Sequence, residues 1–182
     1  MYLGKLVRLR ELRADDAAQC LAWANDLETA YKIYGGAPMP FTMENERDFI
    51  ARVSGRKSDQ NHFGIETLDG KFIGVCSYSQ VNWKDRNCLI GWFIGDKDFR
   101  GKGYGTDMIK TLLRICFHEL DMHKVKLSCF GHNDGARRLY ERLGFVGEGA
   151  YRGKIYAMGR RWDEICFSML RREYEALYGG ES

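Results

Sequence analysis

The segment Arg100-Gly101-Lys102-Gly103-Tyr104-Gly105-Thr106 constrains this chain more than any other. It follows a nearly all-apolar stretch, Cys88 to Ile94. It precedes a run in which Met108, Ile109, Leu112, Leu113, Cys116 and Phe117 recur at helical spacing. The order reads as buried strand, glycine loop, amphipathic helix. Glycines permit positive φ and let a ligand approach the backbone closely. Their N–H groups, backed by the first turn of the helix, form a cradle for an anion. Arg100 and Lys102 add positive charge, and a pyrophosphate is a natural guest. A phosphate loop of the G-x-x-x-x-G-K-[ST] type is excluded because Lys102 is misplaced for it. The spacing G-x-G-x-G, after an antiparallel meander, also misses the dinucleotide fingerprint of an early βαβ unit. On this segment alone, a glycine-rich surface loop without a ligand stays open.

The rest of the chain predicts one sheet with helices around it. Lys5 to Arg10 alternates and reads as a strand. Asp15 or Asp16 caps a helix over Ala17 to Ala24, and Thr29 to Tyr34 continues as a second. Gly35-Gly36 and Pro38-Met39-Pro40 break the pattern. Thr42 caps a third helix with Phe49, Ile50 and Val53 on one face. His62 to Thr67, Lys71 to Val81 and Cys88 to Ile94 then read as a three-stranded meander, with Asp69-Gly70 as a hairpin signal and Asn82 to Arg86 as a turn. The long helix runs from Thr106 to about Leu120. A strand, Val125 to Phe130, and a helix, Asp134 to Leu143 closed by Gly144, follow it. Phe145 to Tyr156 and Trp162 to Leu170 are the last strands, joined near Met158-Gly159. A charged helix covers Arg171 to Tyr178. The expected class is α+β, a mixed sheet flanked by helices in one domain over residues 1–182.

Composition excludes several functions. The net charge is only +3, from 28 basic and 25 acidic residues, and no basic stripe marks a nucleic-acid surface. The six cysteines, Cys20, Cys76, Cys88, Cys116, Cys129 and Cys166, are scattered without metal spacing, so no metal site is expected. Most lie in apolar runs, which suits free thiols in a reducing compartment. No run approaches the roughly 20 apolar residues of a membrane span, and the start is not a signal peptide. The expected location is the cytoplasm.

The residues resemble a known family. Arg100-x-x-Gly103-x-Gly105 resembles the R/Q-x-x-G-x-G/A signature of the Gcn5-related N-acetyltransferases. Asn133-Asp-Gly-Ala136-Arg-Arg-Leu139-Tyr140-Glu141-Arg-Leu-Gly144-Phe145 resembles the family's N-x-x-A-x-x-L-Y-E-x-x-G-F segment. Trp23-Ala24-Asn25-Asp26, Trp83-Lys84-Asp85-Arg86-Asn87 and Gly95-Asp96-Lys97 are similar to the branch holding ribosomal-protein N-terminal and polyamine acetyltransferases. The match spans roughly Val7 to Arg172. It implies a mostly antiparallel sheet whose two parallel strands, Cys88 to Ile94 and Val125 to Phe130, splay apart. It implies acetyl-coenzyme A as co-substrate, with its pyrophosphate on Arg100, Gly101, Lys102, Gly103, Tyr104, Gly105 and Thr106. The pantetheine arm would pair with backbone near Phe93 and Ile94, one of whose N–H groups would polarise the thioester. Asn133 would bind near the acetyl end, or cap its helix, or do both. Tyr140 would be the general acid for the departing thiolate; packing is its plainer alternative.

For the acceptor, the resemblance points to the segment Asp26 to Phe41 and the Tyr151 to Trp162 hairpin. Glu28, Tyr31 and Tyr34 in the first offer carboxylate and aromatic groups to a cationic amine. Glu66 on a central strand is a candidate base or acceptor contact, with Glu28 and Glu11 as other candidates, and a solvent-facing Glu66 is equally open. The histidines form no cluster. A small amine such as a polyamine or amino sugar and a protein N-terminus both remain open. The rival readings are a coenzyme A-binding regulatory module without catalysis and a nucleotide-binding domain. A homodimer through the C-terminal edge strands is a further expectation.

Overall fold

The computed structural model describes residues 2–36, 39–55 and 59–179. Eight strands form one sheet in the order β1-β2-β3-β4-β5-β6-β8-β7. They are β1 (Tyr2–Leu3), β2 (Val7–Glu11), β3 (Asn61–Thr67), β4 (Phe72–Asn82), β5 (Asn87–Ile94), β6 (Lys124–Phe130), β7 (Val146–Ala157) and β8 (Arg160–Leu170). Every neighbouring pair is antiparallel except β5 and β6, which are parallel. The expected mixed sheet with one parallel step is therefore what forms.

Helices cover both faces, α1 (Ala17–Ala24), α2 (Leu27–Tyr34) and α3 (Met43–Val53) preceding the meander. A small core of Leu12, Ala17, Cys20, Ile50 and Val75 sits under α1 and α3, with Phe72 and Phe93 packed against it. The main core lies on the other face, under α4 (Tyr104–Arg114), α5 (Asp134–Arg142) and α6 (Arg171–Tyr178). Met108, Ile109, Leu112 and Leu113 of α4 are fully buried there. No helix among the described residues is long and apolar enough to cross a membrane.

Local chemistry explains most boundaries. Thr42 and Asn45 make a reciprocal capping box at the start of α3. Met158 (φ 53°) and Gly159 (φ 76°) form a two-residue turn with both φ positive, the geometry that suits the twist of β7 and β8. The long helix begins at Tyr104, two residues before the expected start, because Gly103 takes a left-handed φ of 91° and serves as its cap. Its last turn, Ile115–Glu119, is π-helical rather than α-helical. Pro38, expected to break the chain after α2, lies with Ala37 outside the described residues.

The strand expected to begin at Lys5 is the second one, β2, and it starts at Val7; the cause is tertiary. Asp107, buried in the first turn of α4, accepts the backbone N–H groups of Lys5 (2.9 Å), Leu6 (2.7 Å) and Val7 (3.0 Å). This carboxylate ties the start of β2 to the start of α4. Asp107→Ala would leave those amides without a partner, some of them buried. We expect a stability loss of about 2–3 kcal/mol, read as a Tm fall of roughly 5–10 °C in thermal unfolding. An unchanged Tm would show that water replaces the carboxylate without cost.

Candidate active site

The parallel pair β5 and β6 is joined at only three positions, Asn87 with Lys124, Cys88 with Val125 and Leu89 with Lys126. Beyond Leu89, β5 continues to Ile94 held only by β4, and β6 continues to Phe130 held only by β8. The two strands diverge, and a cavity of about 720 Å³ opens between them. The gap exposes the edge of β5 that would otherwise carry a neighbour, an arrangement that accepts an added strand-like ligand.

Which backbone groups face that gap follows from the register. Gly95 donates its N–H to Ile73 of β4 (2.9 Å), and the Phe93 oxygen crowds Gly74 of the same strand. Alternation then turns the backbone groups of Phe93 toward β4 and those of Trp92 and Ile94 toward the gap. Of the two residues expected here, Ile94 presents its N–H to the cavity; the Phe93 backbone is spent in the sheet, although its side chain lines the cavity.

One end of the cavity is the glycine loop. Gly101 (φ 72°) and Gly103 (φ 91°) both occupy the left-handed region. Gly105 allows a close approach of a different kind, since a side chain there would begin 3.1 Å from the Trp92 ring. Among the described residues the N–H groups of 101–106 find no acceptor, and no side chain caps α4. Such a row of unsatisfied amides at a helix N-terminus binds anions. Gly101, Gly103, Gly105 and Thr106 line the cavity, whereas Lys102 and Tyr104 do not. Tyr104 packs edge-on against Phe99 at 5.1 Å.

Arg100 lines the cavity, but its guanidinium is already engaged. It donates to the carbonyl oxygens of Ile94 (2.9 Å) and Gly95 (3.1 Å), to Thr29 Oγ1 (2.8 Å) and to Glu28 (3.1 Å). It therefore clamps the glycine loop to α2. Glu28 serves the same clamp, also pairing with Lys32 (2.6 Å), and stays outside the cavity. Tyr31 lies outside it too, its carbonyl oxygen facing His132 Nε2 at 3.1 Å.

Glu66 is neither a base in the cleft nor a solvent-facing residue. It is buried, accepts from Arg10 Nε (2.9 Å) and lies 3.6 Å from Arg8. Arg10 in turn grips Asp16 with both terminal nitrogens, at 2.7 and 2.8 Å. The carboxylate is one leg of a buried ion network, where an unpaired charge would be costly.

Asn133 and Tyr140 line the cavity from α5. Asn133 caps that helix, accepting from the Ala136 N–H at 3.2 Å through Oδ1, which leaves its amide nitrogen for the cleft. Tyr140 is 5% exposed and accepts a hydrogen bond from Trp92 Nε1 at 3.1 Å. Its own O–H finds no acceptor among the described residues. Burial pushes its hydroxyl well above the ordinary phenol range, which keeps the proton in place. Trp92, which orients this oxygen, was not singled out from the sequence; its only signal was an indole in a strand that enters a cleft.

The cavity is also lined by Thr29, Lys32, Ile33 and Tyr34 of α2, by Phe49 of α3, and by His62, Ser77, Ser128 and Glu164. Tyr34 is the one expected acceptor contact that lies here. Burial alone would raise the Glu164 carboxyl, but Lys154 and the Ser128 hydroxyl (2.7 Å) outweigh it and hold it below the usual range. The thiols Cys76 and Cys129 also line the cavity. Burial pushes Cys129 up to about 11 and Cys76 higher still. No group of three or more metal-ligating side chains comes together among the described residues.

Comparison with known proteins bears on this geometry. Residues 7–146 match the family model described as an acetyltransferase (GNAT) domain. The chain is similar to a probable N-acetyltransferase, YjcK, of Bacillus subtilis: 29% identical over 181 residues, covering 96% of this chain and 99% of the relative. It is also similar to YdaF of the same organism, a putative ribosomal N-acetyltransferase, 34% identical over 115 residues and 62% of each chain. The fold matches the spermidine N-acetyltransferase of Vibrio cholerae solved with coenzyme A and spermine. The TM-score is 0.83 at 23% identity, covering 92% of this chain and 97% of that one.

Proposed function

Because the chain belongs to the GNAT acetyltransferase family and is an acetyl-coenzyme A-dependent acyltransferase, we propose that it acetylates a primary amine of a small molecule, a polyamine or an amino sugar, by direct attack in a ternary complex. The observation that carries this reading is the convergence of three groups on one cavity: the uncapped amides of the glycine loop, the Ile94 N–H and the Tyr140 hydroxyl. The loop amides would hold the pyrophosphate. The open edge of β5 would bind the pantetheine amides, and the Ile94 N–H would stabilise the oxygen that gains charge. Asn133 would fix the acyl end. Tyr140 would give its proton to the departing thiolate. The acceptor would enter from the side of Tyr34, Phe49 and His62, and a small-molecule amine is favoured because a structural neighbour of the same fold was solved with spermine. Two copies of the chain would pair along β7, the edge strand that exposes Val146, Tyr151 and Tyr156.

Direct attack is favoured over an acetyl-enzyme because the cavity thiols are poor nucleophiles. At about 11, the Cys129 thiol is ionised in roughly one molecule in ten thousand at neutral pH. Initial rates of coenzyme A release, with acetyl-coenzyme A and amine both varied, test the proposal. We expect intersecting reciprocal plots. Parallel plots, or a stable acetyl adduct on Cys76 or Cys129, would overturn the ternary mechanism.

A further inference from the structure

A second cavity, of about 40 Å³, adjoins the cleft, and a buried carboxyl lines it. Ile33, Tyr34, Phe49, Val75 and Phe93 line both cavities, while Glu46 lines only the small one. Glu46 is 6% exposed, yet no described residue donates a hydrogen bond to its carboxyl or forms an ion pair with it. Burial alone raises it above the usual carboxylate range. The titratable groups that face it are Cys20 of α1 and Tyr34 of α2, neither of them cationic. Arg10 is taken by Asp16 and Glu66.

A carboxyl in such a place is costly unless something completes it. An uncompensated acid that persists in a fold points to a ligand more than to stability. The charge that would complete it is positive. The space admits a headgroup of a few atoms, and the aromatic walls of Tyr34, Phe49 and Phe93 suit an alkylammonium. That headgroup is not the nitrogen that reacts: neither Tyr140 nor Ile94 nor the glycine loop lines the small cavity. We propose that Glu46 binds an ammonium group of the acceptor other than the one acetylated, so that the enzyme selects amines carrying a second cationic nitrogen. The selection rests on the acetyltransferase reading for its role in turnover, but the binding does not. With the ammonium bound, the carboxylate and the cation form a neutral pair within the pocket.

The test separates the two. Calorimetry measures cadaverine and pentylamine binding, which differ by one terminal amine, to the protein with and without coenzyme A. We expect cadaverine to bind at least 30-fold more tightly than pentylamine. Glu46→Gln should reduce that preference to threefold or less, leave pentylamine unchanged and leave the ligand-free Tm the same or a few degrees higher, since an unpaired buried acid has been removed. Equal affinities in the parent protein, or an undiminished preference in the variant, would overturn the proposal. If Glu46→Gln does not fold, Glu46→Asp withdraws the charge by one methylene. A shift of preference toward the longer hexane diamine supports the site, and no shift overturns it. A cadaverine preference that depends on Glu46, in a protein that acetylates no amine, would sink the proposed reaction and leave the ammonium site standing.

Discussion

Gly103→Asp is expected to weaken acetyl-coenzyme A binding by about two orders of magnitude while leaving the fold intact. A side chain at this position begins 3.5 Å from Leu6 Cδ1, an ordinary contact, so bulk is not the reason. The φ of 91° strains a residue with a side chain, but aspartate tolerates the left-handed region better than most. Aspartate is also a favoured helix cap, so part of that strain is offset at the start of α4. What changes is the ligand. The new carboxylate takes up the free amides of the first turn and repels a pyrophosphate at close range. At an effective dielectric near 20 this repulsion is worth roughly 3 kcal/mol or more, a loss of about two orders of magnitude in affinity. Isothermal calorimetry reads it directly, with thermal unfolding as the control. Gly103→Asn, neutral and equally tolerant of the backbone, should keep most of the affinity. If the aspartate variant binds as well as the parent, the anion cradle is wrong.

Tyr140→Phe is expected to lower kcat by about a hundred- to a thousandfold, the range for loss of a positioned proton donor. The KM for acetyl-coenzyme A should stay within about threefold, because the hydroxyl contributes to the departing thiolate and not to holding the pyrophosphate. A structural tyrosine would behave differently. Its loss would strand the Trp92 indole N–H, costing about 1 kcal/mol of stability and leaving kcat untouched. The pH profile adds a second readout. Burial raises the hydroxyl, so the acid form persists above pH 10 and no alkaline fall in kcat should arise from it below that point. For the same reason the folded state holds this proton where the unfolded chain releases it, and stability from this group is present below the ordinary phenol value and lost as pH rises above it. A Tyr140→Phe variant with unchanged kcat would return the residue to packing.

Neither effect is softened by the surrounding clamp. Arg100 and Glu28 hold the loop against α2 through contacts that do not involve the ligand. The loop is thus held in place before a ligand binds, with its amides unpaired among the described residues.

Much of this was legible in the residues. Glycine at 101, 103 and 105 announces backbone conformations and approaches that other residues resist, and two of the three turn out to need positive φ. Asn133 and Tyr140, seven apart on an amphipathic helix, share one face by helical periodicity, and both reach the cavity. Period and turn chemistry placed β2 to β8 to within two residues and missed the two-residue β1. These are local properties, and a local code reads them. The fates of charged side chains were not legible. Glu66, Glu28 and Arg100 looked available in the chain and are each consumed by partners 56 or more residues away or across the loop. Asp107 carries no sequence signal of its role, yet it organises the start of β2 from a hundred residues off. Glu46, on a helix rich in charge, is buried with no ion-pair partner among the described residues. Sequence alone determined the order of the elements from β2 onward, the glycine loop and the helix that Asn133 caps and that carries Tyr140. Only the tertiary structure decided where β5 and β6 part and which charges are paired or stranded, because register and ion pairing depend on distances that the chain sets only after it has folded.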